Sequence, residues 1–285
     1  MGPPPAVSRD DAKAHQELLR RVASNLGLET EELEELSDTL FHVLSSAAPF
    51  RVTLPVYEGL AKITKALWQT PSLVPPISKQ AEHKYYVPVR GYEYLYTHSA
   101  PNSLVMPAVN EQESQRQPGA TPKNKEVKKL DSFGSKVYLS SSLQLRVVNH
   151  QALLGCYDFN VWQSMAKFVD SLPEDPRKEF QAILEEGQGV VRAALQAASD
   201  VTDSAARTMA SAIVMRRVAW LQSSGLSVEV QQSIQDLPFD GQALFAEKTD
   251  NKLHELKDSR TTLKTLGPYT PGQQRNRPKL QPPHR

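Results

Sequence analysis

Cysteine is almost absent: Cys156 is the one thiol in 285 residues. It leaves no pair for an intrachain disulfide and no thiolate set for a zinc knuckle or another Cys-rich metal site. An excess of either charge is missing as well, with 33 Lys+Arg against 32 Asp+Glu. That balance argues against a generally basic nucleic-acid binder, although it allows a local basic tail. No apolar run reaches the roughly 18 residues of a membrane-spanning helix, and even the alanine-rich stretch carries Arg192, Arg207, Arg216 and Arg217. Met1 to Asp10 is proline-rich and polar, unlike a secretory signal. The expectation is a soluble chain of the cytosol or nucleus with no membrane partner. The 13 glycines are scattered and form no phosphate loop. There is no Gly-x-Ser-x-Gly elbow, and the seven histidines lie far apart, so no catalytic residue, metal ligand or cofactor site is assigned. Cys156 with a histidine brought to it in space is the enzymatic alternative, against the commoner buried helix cysteine.

What is present is 39% hydrophobic content and 21 prolines, a composition of helical blocks joined by Pro-rich connectors. In Ser8 to Ala48, Leu18, Leu19, Val22 and Leu26 form one helical stripe that Gly27 ends, and Leu33, Leu36, Leu40, Phe41 and Leu44 form a second. A third helix is predicted from Leu54 to Gln69, with Leu60, Ile63, Ala66 and Leu67 on one face. Tyr92, Tyr94 and Tyr96 alternate with Glu93 and Leu95, which is strand spacing, and predict a small hairpin near 84–97. Tyrosines beside Lys84 and Arg90 would also suit stacking on unpaired bases. The organisation predicted is a disordered stretch 1–14, a helical region 15–110, a polar linker 111–129, a helical dimerisation domain 130–267 and a disordered basic tail 268–285. The linker holds Pro122 to Lys129, a cluster that reads as a nuclear import patch or as merely solvated. The tail carries Arg275, Arg277, Lys279 and Arg285 without an acid, a candidate for weak, salt-sensitive phosphate contact with RNA.

The strongest pattern follows Pro176. Phe180, Leu184, Gly187, Val191, Ala194, Ala198, Val201, Ala205, Thr208, Ala212, Met215 and Ala219 recur in alternating steps of four and three. This is a heptad repeat, and Leu184 through Ala219 are assigned as a self-association seam. Alanine, glycine and threonine hold more than half of its positions, which favours close antiparallel packing over a leucine zipper. The preceding apolar helix, predicted over Lys136 to Asp170, would form a helical hairpin with it, and two hairpins a four-helix homodimer. The fold class predicted is all-α: a long-helix antiparallel coiled coil or helical bundle.

Several runs carry more than pattern. Tyr92-Glu-Tyr-Leu-Tyr-Thr-His98, Ala100-Pro-Asn-Ser-Leu-Val105 and Pro122-Lys-Asn-Lys125 resemble the Gag-like protein of DIRS-type retrotransposons, domesticated in vertebrates as the C-terminal domain of lamina-associated polypeptide two, alpha isoform. So do Leu130-Asp-Ser-Phe-Gly134, Leu143-Gln-Leu-Arg-Val-Val-Asn-His-Gln-Ala-Leu-Leu154, Tyr157-Asp-Phe-Asn160 and Ala205-Ala-Arg-Thr-Met-Ala210. The resemblance implies an all-helical domain that dimerises through a long antiparallel coiled coil. It also implies a nucleoplasmic, non-enzymatic scaffold with A-type lamins and the retinoblastoma protein as partners, the cytoplasm remaining possible. The element's own protein implies an alternative, a capsid-like assembly role with RNA held by the basic tail.

Overall fold

A computed structural model describes residues 9–33, 51–101, 103–106, 109, 124–245 and 247–266. The described chain is all-α, built around two long, closely packed helices, with one two-stranded ribbon. In order the elements are α1 (Arg9–Leu26), β1 (Glu31–Leu33), β2 (Arg51–Thr53), α2 (Glu58–Trp68), α3 (Lys79–Lys84), α4 (Lys125–Ala166), α5 (Glu174–Gln222), α6 (Val228–Gln235) and α7 (Glu247–Leu266). Of the second stripe, Leu33 lies in β1 rather than a helix, and Leu36, Leu40, Phe41 and Leu44, the linker before Asn124 and the basic tail with Arg275, Arg277, Lys279 and Arg285 lie outside the described residues.

Local chemistry sets the ends of these helices. Gly27 takes a φ of 62° after α1, and the amides of Gly27 and Leu28 donate to Ser24 and Ala23, closing the last turn. Asn124 caps α4, its Oδ1 accepting from the amides of Glu126 and Val127, so this helix starts inside the stretch assigned from sequence to a linker. Pro176 sits in the first turn of α5, where no intrahelical donor is lost. Gly225 ends the run beyond Gln222 with a φ of 68°.

The chain divides into two compact units, Met1–Pro88 with Leu139–Met209, and Val89–Tyr138 with Ala210–Arg285. In the first unit α4 and α5 meet through glycines. A Cβ on Gly187 would fall 2.5 Å from the Trp162 ring, and one on Gly155 would fall 2.8 Å from Leu195, so each glycine receives a large side chain of the other helix. Leu184, Val191, Ala198, Ala205 and Met209 are buried on α5, and Ser141, Arg146 and Val148 on α4. Around them, α1 buries Leu18 and Ala23, and the Gln16 Oε1 accepts from the Val52 amide at 2.7 Å, tying β2 to α1. The strands pair antiparallel, Glu32 opposite Val52.

The second unit packs around Trp220, Tyr138, Phe245 and Val105. The hairpin expected near 84–97 is not formed. Residues 79–84 are α3, Gly91 makes a turn at φ 86°, and Glu93–Leu95 is one 3-10 turn. The alternation of tyrosines loses to tertiary contacts. The Glu93 carboxylate accepts from the Gly91 amide, Leu95 is buried, Tyr138 Oη donates to the Tyr94 carbonyl at 2.9 Å, and the Tyr94 ring lies on Gly241. A lone two-stranded hairpin has little stability to set against that docking. Asp240 Oδ1 accepts from the Gln242 amide in a turn, and the final helix begins at Glu247.

Candidate self-association surface

The heptad residues of α5 separate into two classes. Leu184, Val191, Ala198, Ala205, Ala212 and Ala219, spaced by seven, are all buried. Between them Gly187 and Met215 are half-buried, whereas Ala194, Val201 and Thr208 are exposed. Helical geometry explains the division. Within the first unit, Leu195 and Met209 share the inward side with the buried track, so the face turned to the core runs through Leu184, Gln188, Val191, Leu195 and Ala198. That face also repeats in steps of four and three, rotated by one position from the assigned seam. The track of Ala194, Val201 and Thr208 is left on its flank.

α4 has its own repeat, which sequence reading missed. In the first unit it runs through Ser141, Leu145, Val148, Ala152, Gly155, Phe159 and Trp162. In the second it runs through Val127, Asp131, Gly134 and Tyr138, and a Cβ on Gly134 would meet Arg216 at 2.6 Å. Asp131, Gly134 and Ser141 concealed it, because a search for apolar residues passes over them. Other apolar residues of the predicted helix fall on the opposite side of α4. There Leu153, Leu154 and Tyr157 are exposed. One turn earlier the same side is covered: His150 Nε2 lies 3.0 Å from the Tyr86 carbonyl, and its ring meets Tyr85 edge-on at 5.5 Å.

Two arginines organise the second unit. Arg216 and Asp131 form a buried pair at 3.0 Å, with side chains 4% and 8% exposed. Arg216 also donates to the Ser99 carbonyl at 2.8 Å, and Trp220 Nε1 donates to the same Asp131 oxygen at 3.3 Å. Burial holds His98 below the usual histidine value, reinforced by the Arg216 charge and opposed by Asp131. Burial pushes the Tyr138 phenol up to about 12, against opposing contributions from Ser99 and Arg216. Arg217 is enclosed by carbonyls, donating to Leu244, Gln235, Leu237 and Pro238. Burial lowers its pKa, and the charges of Asp240 and Asp236 act the other way. A sequence signal for the pair existed: Asp131 is the one acid between Glu126 and Asp158, and Arg216 and Arg217 interrupt an apolar run.

Cys156 is exposed on α4 rather than buried. Among the described residues no group of His, Cys, Asp or Glu is arranged to hold a metal ion. No described helix is long and apolar enough to cross a membrane. Compared with known proteins, the chain matches no family model, no curated protein and no solved structure.

Proposed function

We propose that this chain is a non-enzymatic helical scaffold that associates with a second copy of itself along α5 and the outer side of α4. The observation that carries the reading lies within the first unit. A track of small residues, Ala194, Val201 and Thr208, is exposed beside a buried track of the same heptad, and Leu153, Leu154 and Tyr157 are bare on α4. Apolar and small side chains at heptad spacing are the usual surface of helix-to-helix association. The resemblance to the lamina-polypeptide domain supports the same role and proposes A-type lamins and the retinoblastoma protein as partners in the nucleoplasm.

The test is light scattering behind size exclusion across a hundredfold range of concentration. A constant mass of twice 31.7 kDa supports the scaffold. Val201→Glu and Leu153→Glu/Tyr157→Glu should each return the mass to that of one chain with helix content unchanged. A single-chain mass for the unsubstituted protein at tens of micromolar would overturn the proposal. Species that keep growing with concentration would favour capsid-like assembly of the retrotransposon type instead, with RNA binding through the basic tail as the next assay.

A further inference from the structure

Helix α2 is amphipathic but leaves its apolar side uncovered by the described residues. Leu60, Ile63 and Leu67 fall on one side at steps of three and four, and the first two are each 60% exposed. Tyr57 and Trp68 flank them at the two ends, 75% and 71% exposed, and no residue of this helix is buried. Glu58, Lys62 and Lys65 occupy the opposite arc, with Lys62 Nζ 2.6 Å from Glu58. A helix of 11 residues is marginal in water without a surface to receive its apolar side.

The surrounding charge indicates what kind of surface. Residues 51–88 contain five Lys or Arg and two acids, in a chain whose net charge is +1. An apolar arc opposite lysines, with an aromatic residue at each end, matches helices that lie in the plane of a lipid headgroup layer. Tyrosine and tryptophan favour that boundary because their rings are apolar and their tips polar. The sequence argument against a membrane partner rested on spanning length, about 20 apolar residues. Lying on a surface makes no such demand.

We propose that α2 is a peripheral docking element for an anionic lipid surface, inserting Leu60, Ile63, Leu67 and Trp68 while its lysines reach the headgroups. The site is separate from the heptad surface and does not rest on self-association.

The experiment is flotation of the full chain with vesicles of phosphatidylcholine alone or mixed with phosphatidylserine. Binding should be about tenfold or more stronger to the anionic vesicles and should weaken with salt. Lys62→Gln/Lys65→Gln should reduce it, Leu60→Glu/Ile63→Glu should abolish it, and Val201→Glu should leave it intact. The blue shift of tryptophan emission on binding should disappear in Trp68→Phe. Absence of binding to anionic vesicles, or full retention by Leu60→Glu/Ile63→Glu, would overturn the proposal. So would a changed mass in that variant without vesicles, which would assign this face to a second copy. A lowered melting temperature in that variant would assign it to the chain's own interior and would likewise overturn it.

Discussion

Replacing Asp131 with alanine isolates the energetics of the buried pair. In the native chain Asp131 gives Arg216 its counter-charge at 3.0 Å and Trp220 Nε1 its acceptor at 3.3 Å. Both charged side chains are less than a tenth exposed, so water cannot replace what is removed. Arg216 keeps the Ser99 carbonyl but becomes a buried cation without a carboxylate. Stranding one partner of such a pair costs about 3–5 kcal/mol. Asp131→Asn should cost less, because the amide oxygen still accepts from Trp220 and Arg216 while the charge is gone. Removing both charges together, as Asp131→Leu/Arg216→Met, should recover most of the loss, since a well-packed apolar pair of similar volume is about as stable. The measurement is urea unfolding followed by tryptophan emission, with the coupling energy taken from the double-mutant cycle. Asp203→Ala is the control. Asp203 and Arg207 approach more closely, at 2.6 Å, but both are solvent-exposed, and the melt should not move measurably. A loss below about 1 kcal/mol in Asp131→Ala would refute the reasoning, because only a solvent-screened pair is worth so little.

Acidification should destabilise the second unit. His98 is held below its ordinary value, so the unfolded chain binds a proton first, and stability declines as pH falls from 7 through about 6.5. Comparing melts of the native chain and His98→Phe checks this, the variant showing a shallower slope. Gly187→Ala should cost about 1–3 kcal/mol by forcing a methyl against the Trp162 ring, read as a lowered urea midpoint. Ala198→Leu and Ala205→Leu, each 2% exposed in the native chain, should cost about 1–3 kcal/mol apiece by overpacking, whereas Ala194→Leu should alter association rather than folding. If Ala198→Leu and Ala205→Leu leave both stability and mass unchanged, the assigned inward face is wrong.

The legible part of the fold is the part made of one kind of chemistry. Every seventh residue from Leu184 to Ala219 is small or aliphatic, and each is buried. α4 carries an inward stripe of the same period, but it contains an aspartate, glycines and a serine. These residues suit that stripe only because α5 brings Arg216, Leu195 and Trp220 to them. Such complementarity is a property of two helices together, and either alone shows only its outline, a lone acid at Asp131 and two arginines in an apolar run. The tyrosines at 92, 94 and 96 misled for the related reason that local alternation is a weak preference, reversed once Leu95 and Tyr94 find partners distant in sequence. The exposed stripe of α4 was visible as apolar residues, but its outward orientation depended on knowing which stripe faced in.

The division of the chain has a practical consequence for anyone dissecting the molecule. Each compact unit is assembled from two separated stretches, and α4 and α5 each supply residues to both. No single cut therefore separates one unit from the other. A truncation between Tyr138 and Leu139 severs α4 and divides both units, whereas one between Met209 and Ala210 severs α5 and divides the second unit only. Fragments cut within α4 should be recovered as unfolded or aggregated chains, and activity mapping by such deletions would report collapse where it means to report a binding site. Surface substitutions that leave both long helices uninterrupted are the safer instrument. The same interleaving makes formation of either unit wait on contacts between residues far apart in sequence, so folding should be slower than helix content alone suggests.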